Sequence, residues 1–325
     1  MAVIGFFSTL AEAQELVTDR LLAGIIEEGQ LIPVLPVTQL DAKTLIYNRE
    51  ETLPDASFYD IGEDIPAQAQ ATTVPETATL KRCIGQWDLD NFIKDTYKDP
   101  NEIRGLAFSM AKKGVMRKVE DKLLYGNATT TPKEFDGLHA LVTVSATASL
   151  NMALHAGLLT VGGALTLALL DELIDKVKPL PDMLLMNFEI YRRLQAVGRG
   201  ILGQWPLTGV MARPGEDVGQ VFPTYRGIPI VRTNYLVQTE TITGTTGYAL
   251  QTGGACTSVF AFRKGAVEEG GLTLVTGSPM FEVEEIVLED KDANRFRVKW
   301  YVTMTNGSTR SLAVIDGITD AAVTA

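Results

Sequence analysis

The 325 residues suffice for about two ordinary domains, and an apolar fraction of 46% is ample for buried cores. A formal net charge of −11 and a sequence pI near 4.8 argue against a protein whose main task is gripping phosphates. Cys83 and Cys256 lie outside any Cys-x-x-Cys pattern. They read as reduced thiols of a cytoplasmic product, packed as small core hydrophobes rather than paired or metal-bound.

In chain order, residues 1–36 read as an arm: a short helical stretch from Ala11 to Ile26, then Pro33 and Pro36 forcing extension. The apolar Met1 to Leu10 lacks a basic leader, and Glu12 and Glu15 follow at once, so no secretory signal is expected. Val37 to Tyr47 reads as a strand and Thr77 to Leu89 as its return, flanking a span rich in Pro, Ala, Asp and Glu. Between Arg49 and Lys81 there is no Lys or Arg, but Glu50, Glu51, Asp55, Asp60, Glu63, Asp64 and Glu76 are present. Such a hairpin is either a solvated loop or a contact arm, and its length favours the arm.

Asp99-Pro100 opens a long helix running to Tyr125, with Asp99 as N-cap and Pro100 at the first helical position. Ile103, Leu106, Ala107 and Met110 share one face, whereas Val115, Val119 and Leu123 sit nearly opposite. A helix that changes its buried face half-way is covered by different structures at its two ends. Lys112, Lys113, Arg117, Lys118 and Lys122 make it the most basic segment of the chain. Gly137 to Leu170 carries no charged side chain, but the Ser, Thr, Asn, His and Gly residues scattered through it argue against a membrane span.

A second helix is expected from Leu167 to Lys178, with Leu167, Leu170, Leu173, Ile174 and Val177 inward and Pro179 ending it. Asp182 to Met186 reads as a buried strand. Asn187 caps a further helix with Ile190, Tyr191, Leu194 and Val197 inward, ended by Gly198 and Gly200. Val221 to Ile230 reads as a turn between short strands, and strands dominate from Tyr248 onward. Phe296, Val298, Trp300, Val302 and Met304 alternate with Arg295, Arg297, Lys299 and Tyr301 as a half-buried strand. Glu285 to Glu289 is its expected hairpin partner, with Ile286 and Leu288 on the apolar face and pairs Glu289–Arg295 and Glu285–Lys299.

Catalytic motifs are missing. The chain has two histidines, His139 and His155, and no Gly-x-Ser-x-Gly elbow, Walker loop or His-Glu-x-x-His. Asp290, Asp292 and Asn294 mimic the start of a calcium loop, but Arg295 replaces its glycine and Tyr301 its bidentate glutamate. No enzyme, cofactor or metal is expected.

Taken in order, the elements and the motifs Leu123-Leu124-Tyr125-Gly126-Asn127, Glu134-Phe135-Asp136-Gly137-Leu138, Leu184-Leu185-Met186-Asn187 and Tyr225-Arg226-Gly227-Ile228-Pro229 resemble one family. It is that of the tailed-bacteriophage major capsid proteins, with the α+β Hong Kong 97-type fold, and the resemblance covers nearly the whole chain. It implies an N-terminal arm (1–36), an E-loop hairpin (37–92), a peripheral domain with the spine helix (93–181 and 279–310) and an axial domain (182–278 and 311–325). It further implies a structural subunit that assembles, as hexamers and pentamers of itself, into an icosahedral shell around double-stranded DNA.

The implied partners are a portal, a scaffolding protein and packaged DNA held without sequence preference; because the chain starts directly at the arm, scaffolding is expected to be a separate protein or already removed. No membrane is involved; the implied location is the virion, assembled in the host cytoplasm. Some relatives cross-link through an E-loop lysine; here the loop tip has none, and only Lys43 and Lys81 sit near its base. The acidic hairpin is expected to dock on a neighbour's basic surface. The contact candidates are Arg49, Glu50, Glu51, Asp60 and Glu63 on the hairpin and Lys112, Lys113, Arg117 and Lys118 on the helix, with Arg295, Arg297 and Lys299 as a second basic face. The alternatives are an encapsulin-type nanocompartment shell and, from another class, a soluble α/β enzyme.

Overall fold

A computed structural model describes residues 30–52, 56–64, 72–92, 100–143, 149–151, 163–202, 209–211, 220–243, 248–250 and 255–324. The expected helix from Ala11 to Ile26 and the cap at Asp99 lie outside these residues. In the first half of the chain come β1 (Val37–Leu40), β2 (Thr44–Thr52), β3 (Thr72–Thr79), β4 (Lys81–Asp90), helix α1 (Pro100–Tyr125), helix α2 (Leu138–Thr143) and β5 (Ser149–Asn151). Helix α3 (Leu167–Lys176), β6 (Met183–Asn187), helix α4 (Phe188–Leu202), β7 (Gly209–Met211), β8 (Gln220–Phe222), β9 (Thr224–Tyr225) and β10 (Ile228–Thr233) follow. The rest is β11 (Thr241–Thr243), β12 (Tyr248–Leu250), β13 (Cys256–Phe262), β14 (Leu272–Val287), β15 (Ala293–Asn306) and β16 (Leu312–Thr319).

Two sheets organise the chain. The first has the order β1-β14-β15-β4, with α1 packed across β4 and β15. The second has the order β5-β16-β13-β6-β10-β9. Its strands alternate between two cores. Leu184, Met186, Ile230, Val259, Ala261, Ala313 and Ile315 pack with α3 and α4. Leu185, Val231, Phe260, Phe262, Leu312 and Val314 share the other core with α1 and the first sheet. A strand covered on both faces needs an unbroken apolar run, which is why β6 reads Met-Leu-Leu-Met.

The motif around Gly126 and Gly137 joins α1 to α2 by close backbone approach. A Cβ on Gly126 would stand 2.3 Å from the Phe135 carbonyl oxygen, and one on Gly137 would stand 2.6 Å from that of Lys122. The Gly137 N–H donates to the Gly126 carbonyl at 2.9 Å, and the Asp136 carboxylate accepts from the Ala128 N–H at 2.8 Å. The Tyr225–Ile228 turn places Arg226 and Gly227 at φ 52° and 82°, a left-handed pair that glycine eases.

Several expectations need correction. The strand expected from Val37 to Tyr47 is two strands: β1 runs parallel to β14 in the first sheet, and β2 starts the free hairpin with β3. The return strand likewise divides, with β3 beginning at Thr72 and β4 pairing with β15. Met110 is 66% exposed rather than inward. It sits where α1 borders a groove, while Val115, Met116, Val119, Leu123 and Leu124 are buried. The side chains of Ile103, Leu106 and Ala107 lie outside the described residues. Gly198 and Gly200 do not end α4, which continues to Leu202.

The β14–β15 register differs from expectation by three residues. Glu282 faces Lys299, Glu284 faces Arg297 and Ile286 faces Arg295. An odd shift turns every side chain to the other face, so Phe281 and Val283, not Ile286 and Leu288, meet the core. Arg295 then pairs with Asp88 of β4 at 2.6 Å rather than with Glu289, and Lys299 with Glu284 at 2.7 Å rather than with Glu285. Among the described residues no helix is long and apolar enough to cross a membrane, and no cluster could hold a metal ion.

Candidate functional site

Two surface features stand out: the tip of the β2–β3 hairpin and a groove on α1. The hairpin is pinned at its base. The Leu80 N–H donates to the Lys43 carbonyl at 2.9 Å, and the Tyr47 hydroxyl donates to the Asn306 carbonyl at 3.2 Å. At its tip Phe58 and Ile61 are fully exposed. Around them the turn is tied by Asp60, whose N–H donates to Glu63 Oε2 at 2.9 Å and whose carbonyl accepts from the Glu63 N–H at 3.1 Å. Gly62 supplies the positive φ of 88°. Two apolar side chains thus stand in water amid Asp60, Glu63 and Asp64.

The groove runs between α1 and β4 and has a volume of about 570 Å³. Ile84, Trp87, Met110 and Val115 make it apolar. At Gly85 the helix closes in on β4: a Cβ there would come within 2.7 Å of Val115 Cγ2 and 3.1 Å of the Ala111 carbonyl. Along α1, Met110, Gly114 and Lys118 follow one another at the four-residue spacing that shares a face. Beyond Lys118 the groove meets a smaller hollow bordered by Lys81, Arg82, Lys122 and Lys133. Glu134 neutralises Lys122 at 3.0 Å, and the Lys81 ammonium donates to the Pro132 carbonyl. Burial pushes the Cys83 thiol up, and the Lys118 charge beside it pulls the other way.

The predicted contact residues distribute unevenly. Arg49 is already engaged within the hairpin, paired with Glu76 at 2.7 Å. Asp60 and Glu63 are at the exposed tip. The side chains of Glu50 and Glu51 lie outside the described residues. Lys118 borders the groove, while Lys113 and Arg117 are exposed elsewhere on α1 and Lys112 is half-buried. The second basic face is cancelled within the chain: Asp88 holds Arg295, and Glu282 and Glu284 hold Lys299. The Arg295 hydrogen bond in turn keeps the Asp88 carboxyl below its usual range. Phe58, Ile61 and Trp87 were missed in the sequence, although two bulky apolar residues in an acidic loop are a visible signal.

No protein-family model matches the sequence, nor does any curated protein. Solved structures do. The capsid of an empty GTA particle matches with a TM-score of 0.63 at 12% identity, over 89% of this chain and 90% of that one. The SrpI encapsulin of Synechococcus elongatus PCC 7942 matches with 0.60 at 18%, over 89% and 87%. A structure from Mycobacterium phage Bobi matches with 0.56 at 13%, over 88% and 89%. The chain has the Hong Kong 97-type capsid fold.

Proposed function

We propose that the chain is the major capsid protein of a tailed bacteriophage, copies of which close as hexamers and pentamers into an icosahedral shell around double-stranded DNA. In this reading β2–β3 is the E-loop, α1 the spine helix, and residues 30–36 the end of the N-terminal arm. The peripheral domain is α1 with the first sheet, which takes in β1, β4 and β14 from Leu272. The axial domain is the second sheet with α3 and α4. A portal, a separate scaffolding protein and non-specifically held DNA are the further partners, in a virion assembled in the host cytoplasm. The chain's role is structural rather than enzymatic.

The observation that carries the proposal is the two-part match of tip and groove. Phe58 and Ile61, among acids, fit an apolar groove whose far end is basic. Burying one such side chain contributes about 1.5–3 kcal/mol. That is weak for one contact, yet a closed shell repeats it at every interface, where multivalency makes weak contacts sufficient. The likeness to SrpI supports a second reading, an encapsulin-type shell holding protein cargo. Electron microscopy of the purified protein tests both. A DNA-sized shell is expected; a small cargo-filled shell supports the second reading, and unassembled subunits under all conditions refute both.

A further inference from the structure

A buried polar cluster joins the end of α1 and the start of α2 to the second sheet and plays no part in the surface just described. Tyr125 ends α1, His139 lies in α2, Glu240 precedes β11, Ser258 lies in β13 and Asp316 in β16. All five are nearly sealed from solvent. Glu240 accepts hydrogen bonds from the hydroxyls of Tyr125 and Ser258, and the Tyr125 oxygen accepts from the Val237 N–H at 3.1 Å. Ser258 Oγ also lies 3.1 Å from Asp316 Oδ1. The other Asp316 oxygen has no hydrogen-bond partner among the described residues. His139 lies 3.5 Å from Glu240 and 3.8 Å from Asp316, with its ring stacked on Tyr125 and edge-on to Phe260.

Proton counting constrains the charge state. Ser258 has one hydroxyl proton and faces two carboxyl groups. Once it donates to Glu240, its contact with Asp316 is a hydrogen bond only if Asp316 carries a proton and donates it. An ionised Asp316 would instead leave a charged, unpartnered oxygen in the core, at high cost. A neutral Asp316 leaves no such charge there. The other titratable groups acting on it are Asp121, toward Tyr125, and Cys256, beside Glu240. Neither supplies positive charge.

We propose that this cluster is a proton-dependent latch, which holds the end of α1 and the start of α2 to the second sheet while Asp316 is protonated and loosens when it ionises. Burial raises the Asp316 carboxyl to about 7 against the pull of the His139 charge. For His139, burial acts downward, but the contact with Glu240 and the charge of Asp316 lift the imidazole above its ordinary value. Both groups bind protons more tightly folded than unfolded. Their stabilisation is therefore complete at acid pH and lost as pH rises, for Asp316 between its ordinary range near 4 and about 7. The joint of α1 and α2 to the second sheet is thus alkaline-sensitive.

The test is hydrogen exchange of the full chain, unassembled, from about pH 5 to 9, corrected for the intrinsic pH dependence of exchange. Protection in residues 125–143 and 256–260 should fall by up to about tenfold per pH unit between pH 5 and 7. Asp316→Asn, which donates to Ser258 at every pH, should abolish that fall. A flat wild-type profile, or the same slope in the variant, overturns the proposal. Should the variant not fold, infrared spectroscopy of the Glu120→Gln chain, which lacks the other raised buried carboxyl, decides: a protonated buried carboxyl at about pH 6 that titrates near 7 supports the latch. Absence of that band refutes it.

Discussion

Glu120 is the test of how the arm is held. Although it lies on α1, near the helix's C-terminal end, it is 1% exposed. Its carboxylate accepts from the backbone N–H groups of Gln30, Leu31 and Ile32 at 2.9, 3.1 and 3.2 Å. This fixes a turn that buries Leu31, Ile32 and Leu35 against α1. The Pro36 carbonyl then accepts from the Leu274 N–H at 2.9 Å, setting β1 beside β14. Glu120→Ala strands the N–H groups of Leu31 and Ile32 away from water, at about 1–3 kcal/mol for each unsatisfied group. Water can still reach the half-buried Gln30.

The expected loss is therefore about 3 kcal/mol, a large share of an ordinary 5–15 kcal/mol. Glu120→Gln keeps the acceptor oxygen and sheds the burden of a buried charge, so it should cost less than about 1 kcal/mol. Burial raises the Glu120 carboxyl against the pull of those N–H groups. Its contribution is thus greatest at acid pH and is lost as pH rises through the raised value, a dependence that Glu120→Gln should remove. Denaturant unfolding with limited proteolysis checks this. If Glu120→Ala unfolds within about 0.5 kcal/mol of the parent chain, a typical surface effect, and residues 30–36 stay protected, the clamp is not what holds the arm.

The other predictions concern the glycine junction and assembly. Gly137→Ala should cost about 2–3 kcal/mol in thermal unfolding, because the new methyl meets backbone rather than a side chain that can move aside. Phe58→Ser with Ile61→Ser should prevent assembly while leaving the subunit's melting unchanged, as seen by light scattering and circular dichroism. Reversing Glu50, Glu51, Asp60 and Glu63 to Lys should impair assembly and alter its salt dependence, since exposed pairs are worth about 0.2–1 kcal/mol each and are screened over about 8–10 Å. Normal yield at normal salt would leave apolar contacts as the whole of the interaction. Assembled shells should run on denaturing gels as one band at 35.3 kDa, because no lysine lies between Arg49 and Lys81; a ladder surviving boiling and reductant would refute this.

Local signals in the sequence determined the long helix, the helices with a single apolar stripe, the buried run of β6 and the alternating strand β15. Each rests on a period or a cap that neighbouring residues set among themselves. The motif around Gly126 and Gly137 was also legible, though its reason, two backbones meeting where a Cβ would clash, appears only in space. What pairs with what was decided by tertiary structure. Glu285 to Glu289 gave a plausible ion-pair register, but the packing of Phe281 and Val283 against the Trp300 strand fixed another three residues away. The groove needs Gly85 of one element against Val115 of another. The buried cluster gathers residues 125, 139, 240, 258 and 316, whose proximity no periodicity encodes, because these groups meet only once α1 and α2 have packed on the second sheet.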